Sequence, residues 1–401
     1  MPWSGAVPSH SRRRTRTLLA AAVLTPLAAC GQPDGGPPQD RPSPQDTPAA
    51  GKTEAFTLVA TGDILSHDSV IRQAAADAGG ESGDGTGPRT YDFRSMLAGA
   101  KPVVAQADLA ICHLETVVGA DGGPFSGYPM FRTPPQVAQA IADTGYDSCS
   151  TASNHTLDAG PEGVERTLDA MDAAGVRHVG SARSAAERDQ PAMLTAGGAK
   201  VAQLAYTYGT NGIPVPENQP YLVNLIDADR ILADATSARA AGADVVVVSM
   251  HWGTEWQEEP NAQQRALAGQ LTAAQVDGRR AIDLIIGTHA HVPQAYEKVG
   301  GTWVVYGMGD QVAGVMNDPR GQYGSTARFT FTPPTRAGEA WRVTKAEFVP
   351  HVMDNDPLRV VNLPRALRED PDQPRYVKAQ EAIKEAVLSR GAAKDGLRLG
   401  R

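Results

Sequence analysis

The chain reads as an α/β protein whose central strands are parallel and buried on both faces. Two observations carry that reading. Short β-branched or apolar runs recur from Phe56 onward, and Ala-rich stretches of helical composition lie between them. Continuous apolar runs alternating with helices mark strands covered on both sides, whereas half-exposed strands alternate apolar with polar residues. A third observation concerns how the runs end. Most stop abruptly in Asp, Glu, Asn or His, and in α/β sheets functional groups gather just beyond the carboxyl ends of the strands.

The 401 residues open with Arg12, Arg13, Arg14 and Arg16, followed by twelve mostly apolar residues at 18–29. A membrane-spanning helix needs about 20 such residues, so this segment is expected to be a cleaved signal peptide. The paired arginines fit either general secretion or the twin-arginine route. Leu27-Ala28-Ala29-Cys30-Gly31 resembles the lipobox of bacterial lipoproteins. That resemblance implies cleavage before Cys30 and lipidation of its thiol; the alternative is an ordinary Ala-x-Ala cleavage with an incidental cysteine. Residues 30–52 hold six prolines and no apolar periodicity. They are expected to form an extended, disordered tether of at most about 3.1 Å per residue. The folded part is then expected at the extracellular face of the membrane, held there by lipid.

Strands are expected at residues 56–61, 108–112, 147–151, 201–206, 244–250, 282–286 and 303–306. Helices are expected at 135–143, 161–174, 228–241 and 261–277, several with Pro or Asp near the start. After Gly324 the alternation stops. An antiparallel pair at 326–332 and 341–349 and a helix at 374–389 follow, expected to pack on a main domain of residues 53–325. The Gly-rich segment 79–87 reads as a surface loop. Arg279, Arg280, Lys394, Arg398 and Arg401 read as a solvated face. Cys112 and Cys149 fall in strands that can be neighbours, as buried thiols or as a disulfide. The 206–221 loop, with Tyr206, Tyr208 and Asn211, either flanks the site or is a plain crossover.

Composition narrows the function. Hydrophobic residues at 41% and charged residues at 20% support a real core. Lys+Arg 37 against Asp+Glu 45 gives a net charge of -8, which leaves no basic excess for gripping a nucleic-acid backbone over a broad surface. The part after residue 29 is more acidic still, because residues 1–29 carry four arginines and no acid. Three cysteines exclude a disulfide framework.

Nine histidines decide the chemistry. His155, His251, His289 and His291 follow strand-like runs, and His67 and His113 lie within a few residues of one. Asp63, Glu115, Asn154 and Asp310 end runs in the same way. Imidazole, carboxylate and amide oxygen together suit Mn, Zn or Fe, whereas Mg and Ca prefer oxygen alone. No cysteine belongs to the set, which excludes a Cys-type structural zinc site. On an extended segment His289 and His291 would share a face and aim at one site.

The ordered segments Gly62-Asp63, Leu114-Glu115, Asn154-His155-Thr156-Leu157-Asp158-Ala159-Gly160, His251-Trp252-Gly253-Thr254-Glu255 and Gly287-Thr288-His289-Ala290-His291-Val292-Pro293-Gln294 resemble the CapA family of capsule and poly-γ-glutamate biosynthesis proteins. The resemblance runs from about Phe56 to Asp310. It implies a calcineurin-like metallophosphoesterase sandwich, with mixed β-sheets flanked by helices. It further implies that Asp63, Glu115, Asn154, His251, His289 and His291 hold one or two divalent ions, and that His155 protonates a leaving group or holds a substrate anion. His67, His113, Asp158, Glu255 and Asp310 would support these groups or touch substrate. Such an ion lowers the pKa of its bound water to about 7, as hydrolysis of a phosphoester or a γ-glutamyl amide requires. The implied partners are a cell-envelope polymer, or its synthase and export complex, in which a non-catalytic metal protein is the alternative role. Two positions depart from the family pattern: His113 and Asp310 each stand where the family usually has Asn.

Overall fold

The computed structural model describes residues 53–79, 90–336 and 339–401. Cys30, the expected signal peptide and tether, and most of the 79–87 loop lie outside the described residues. Among the described residues no helix is long and apolar enough to cross a membrane.

Two mixed sheets carry the fold. The first runs, edge to edge, Leu358–Asn362, Arg342–Asn355, Tyr323–Thr332, Phe56–Ile64, Leu109–Leu114, Ser148–Ser150 and Arg177–Val179. The second runs Tyr296–Val299, Thr302–Val305, Leu284–Thr288, Val245–His251, Ala199–Thr207 and Ala192–Ala196. All seven expected strands are present. Phe56–Ile64 through Arg177–Val179 are parallel, as are the four central strands of the second sheet. The pairs at the outer parts of both sheets are antiparallel, and two short strands, Asp310–Val312 and Leu397–Leu399, add parallel to the first, which agrees with the expected mixed sandwich.

Side-chain alternation explains the layering, because successive residues of a strand face opposite sides. Phe56, Leu58, Ala60, Leu109 and Ile111 of the first sheet share one core with Val245, Val247, Leu284, Ile286 and Val305 of the second. The intervening residues turn outward under helices. Val59, Ala110 and Cys112 pack with Val137 and Ile141, and Val246, Val248 and Ile285 pack with Ile231, Ala235 and Leu271. Strands buried on both faces therefore read as unbroken apolar runs.

The edges were harder to foresee. Tyr296–Val299 and Leu358–Asn362 mix charged and apolar residues and present no apolar run. The C-terminal pair is longer than expected, and Tyr323–Thr332 lies beside Phe56–Ile64 inside the first sheet. The helix expected over 261–277 starts at a capping box of Asn261 and Gln264 and stops at Ala273. A tight hairpin follows, Gln275–Val276 against Arg279–Arg280. Its turn, Asp277-Gly278, has φ of 51° and 76°, the Asp-Gly chemistry of a primed two-residue turn. Cys112 and Cys149 face each other in register on adjacent strands and form a disulfide, not two free thiols.

Candidate metal centre

Five strand ends and the loops after them converge on one buried cluster. Asp63 sits near the end of Phe56–Ile64 and lies opposite both His113 and Asp310 in the parallel registers on its two sides. His251 ends Val245–His251 and is in register with Thr288. Glu115 follows the adjacent strand Leu109–Leu114, Asn154 lies beyond the end of Ser148–Ser150 one strand further on, and all of these groups are buried.

Four overlapping triads of ligand-type atoms fall within 4.8 Å: Asp63, His113 and His251; Glu115, His251 and His289; Glu255, His289 and His291; Asp63, His291 and Asp310. Individual separations include His113 Nε2 to Asp63 Oδ1 at 3.7 Å, His251 Nε2 to Glu115 Oε1 at 3.7 Å and His291 Nε2 to Glu115 Oε1 at 3.9 Å. Asn154 Oδ1 lies 2.8 Å from His251 Nε2. Two ligands that each sit about 2.1 Å from one ion are about 3–3.5 Å apart, so these spacings suit shared coordination.

Polar satisfaction points the same way. Asp63 Oδ1, both Glu115 carboxylate oxygens, Asp310 Oδ2, His113 Nε2 and His289 Nδ1 are buried without a hydrogen-bond partner. Asp63, Glu115 and Asp310 have no Lys or Arg against them among the described residues; the ion pairs found there are with histidines. Buried carboxylates without cationic partners are costly unless they coordinate metal. The donor set therefore fits one or two divalent cations.

Several contacts orient the rings. Ser150 Oγ donates to the Cys112 carbonyl and lies 2.7 Å from His113 Nδ1. The contact at Nδ1 holds the ring with Nε2 toward Asp63. Thr288 Oγ1 lies 3.0 Å from His251 Nδ1, and Asp310 Oδ1 accepts from His291 Nδ1 at 2.9 Å. His155 Nδ1 donates to Asp158 Oδ2 at 2.7 Å, and the same oxygen accepts from the Phe131 backbone N–H.

Electrostatics without an ion follow burial. Burial raises Asp63 to about 7 and pushes Glu115 well above the usual carboxylate range. It depresses His113 and His289 to about 3. Burial alone would lower His291 too, but the carboxylates of Asp310, Glu115 and Asp63 outweigh it and raise that ring. The cluster thus keeps its histidines neutral except beside Asp310, and neutral imidazole is the ligand form.

Some expectations need correction. His289 and His291 do not converge by sharing a face of an extended segment. They follow Leu284–Thr288 in a loop with φ of 93° and 55°. Left-handed backbone is uncommon for residues other than Gly and concentrates at functional sites. The His289 N–H donates to Asp63 Oδ2 at 3.1 Å and secures that bend. His113, read as a supporting group, stands in a ligand triad, and so does Asp310. His67 does not: its ring packs edge-on to Phe131 at 5.1 Å, outside all four triads. Glu255 is exposed at the rim.

The loop after Ala199–Thr207 does flank the site. The Tyr208 ring lies 4.4 Å from His289, and Asn211 contacts both Asn154 and His155. Trp256, 5.6 Å from His291, went unnoticed in the sequence. Its aromatic type, one residue beyond the His251–Glu255 segment, was the available signal.

Residues 57–315 match the family described as bacterial capsule synthesis protein PGA_cap. A Mycobacterium tuberculosis protein named "Probable polyglutamine synthesis accessory protein" is 28% identical over 238 residues, 56% of this chain and 61% of that protein. The PGA biosynthesis protein CapA of Bacillus subtilis is 28% identical over 184 residues, 45% of this chain and 46% of its own. The chain thus spans about half the length of these relatives. A solved phosphatase from Mycoplasma pneumoniae aligns with TM-score 0.46 at 14% identity, over 82% of this chain and 98% of its own. With a family match across most of the folded residues and the strand-end cluster inside it, the chain belongs to the PGA_cap family of bacterial capsule synthesis proteins.

Proposed function

We propose that this chain is a metal-dependent hydrolase acting on an anionic cell-envelope polymer of the polyglutamate class, anchored outside the membrane through lipid on Cys30. The observation that carries the hydrolytic reading is the convergence of three buried carboxylates and four imidazoles, several of their atoms unpartnered, with no Lys or Arg against the carboxylates among the described residues. Asp63, Glu115, Asn154, His113, His251, His289, His291 and Asp310 would hold one or two ions of Mn, Zn or Fe. A divalent ion there supplies Lewis acidity and neutralises charge on substrate oxygens.

The chain's own residues do the rest. Asp158 accepts from His155 Nδ1 and leaves Nε2 facing the site; in the imidazolium form, Nε2–H would give its proton to a leaving group or hold a substrate anion. Asn211, beside His155 Nε2 and Asn154, orients a polar substrate group, and Tyr208 covers the His289 face. The polymer class rests on what the family and its relatives are named for.

Metal content and turnover test the reading together. The purified chain should carry stoichiometric metal and hydrolyse phosphodiester or γ-glutamyl substrates. His289→Ala should lower metal content, whereas His155→Ala should keep the metal and lose more than about a hundredfold in turnover. Metal loss in His155→Ala would contradict these roles. The word "accessory" in a relative's name supports a second reading, a non-catalytic subunit of a synthase or export complex; full metal with no turnover on a broad panel would favour it. For the anchor, Cys30→Ala should move the protein from the membrane fraction to the medium, and unchanged fractionation would discard lipidation.

A further inference from the structure

A cavity of about 660 Å³ opens at the end of the sheets opposite the metal centre. It is lined by Arg279 and Arg280 of the hairpin, Lys298, Arg342, and the two tryptophans Trp303 and Trp341. Asp283, also in its wall, immediately precedes Leu284–Thr288, whose far end leads into His289. Five residues of strand separate the two sites by about 17 Å. Both sheets contribute, since Lys298 and Trp303 belong to the second while Arg342 and Phe331 belong to the first.

The charge there is opposite to that of the chain as a whole. Among the described residues, Arg279, Arg280, Lys298 and Arg342 form no ion pair, although most other arginines do. Asp283 is taken by Arg239, which leaves Glu339 as the one unpaired acid in the wall. Arg279 Nε is buried with no hydrogen-bond partner. Trp303 and Trp341 are almost fully buried as the floor, and Lys298 Nζ stands 5.7 Å over the Trp303 ring. Four cations without an ion pair thus surround one cavity, in a protein of net charge -8.

We propose that this cavity binds an acidic oligopeptide through several carboxylates at once. Cations at the rim suit spaced carboxylates, and guanidinium groups pair with them bidentately. The aromatic floor suits the methylene and amide segments between the charges. Polyphosphate offers that floor no apolar surface. The inference rests on the polyglutamate reading above and deepens it: one stretch of polymer is gripped here while another reaches the metal centre at the far end of the strand.

Tryptophan fluorescence of the full chain, titrated with γ-linked decaglutamate at low salt, tests the inference. Decaglutamate should bind and change the emission. Lys298→Gln with Arg342→Gln, both at exposed positions, should weaken binding at least tenfold while metal content and turnover of a small chromogenic ester stay unchanged. Arg279→Gln should weaken it likewise. Tripolyphosphate should bind more weakly than decaglutamate. Equal affinity of the double variant, no binding at low salt, or tripolyphosphate binding as tightly would each overturn the inference. Loss of metal and turnover in His289→Ala with decaglutamate binding retained would uphold it, so it and the hydrolase reading fail separately.

Discussion

His351 illustrates how a single buried ring is tied to the centre. Its Nε2 donates to the Asp310 backbone carbonyl at 3.0 Å, and burial lowers its pKa from 6.5 to about 4. The unfolded chain therefore binds a proton at this ring between pH 6.5 and 4 that the folded chain refuses. Stability from the neutral ring is complete above pH 6.5 and is lost as pH falls toward 4. The difference amounts to about 3 kcal/mol from a shift of this size. Urea midpoints of the metal-free protein should fall across that window, and His351→Gln should fall less steeply; equal slopes would count against the assignment. That Asp63, Glu115, Asn154, His251, His289 and His291 come together was legible in the sequence because each lies at or shortly after the end of a strand-like run. The left-handed backbone at His289 and His291 was not, since it depends on Asp63, far away in the chain. The place of Asp310 among the ligand atoms was hidden for a similar reason: it depends on a short strand, Asp310–Val312, pairing beside Phe56–Ile64.

Between strands, spacing is set by what a side chain would displace. A Cβ on Gly62 would overlap the carbonyl oxygen of Gly309, which also accepts from the Asp63 N–H at 3.2 Å. Gly62 has no positive φ, so the requirement is space and not conformational freedom. Gly62→Ala should force Phe56–Ile64 away from Asp310–Val312 and break the Asp63–Asp310 register. A cost of about 3 kcal/mol, typical of overpacking, should appear in urea unfolding, together with lowered metal content. Wild-type stability and metal would show that the strands can part without consequence. At this scale the sequence revealed central strands and the main helices, because strands buried on both faces leave unbroken apolar runs. It concealed edges such as Ala192–Ala196, where one side faces water and the run disappears.

For the whole molecule, the family match ends at residue 315, but the first sheet does not. Phe56–Ile64 takes its antiparallel neighbour from Tyr323–Thr332, which in turn pairs with Arg342–Asn355. A chain ended at Ser325 should leave the first strand with an open apolar edge and should aggregate or bind no metal, read by light scattering and metal analysis. A soluble, metal-loaded fragment of that length would refute this. The single hydrogen bond from the His289 amide to Asp63 spans 226 residues. Contacts of such long separation form late, after the intervening chain has collapsed. During synthesis Asp63 therefore waits for most of the protein before any ion can be held. If the chain is exported and holds an ion as proposed, that ion would come from whichever compartment the finished chain folds in: outside the membrane if it is threaded across unfolded, inside if it crosses already folded.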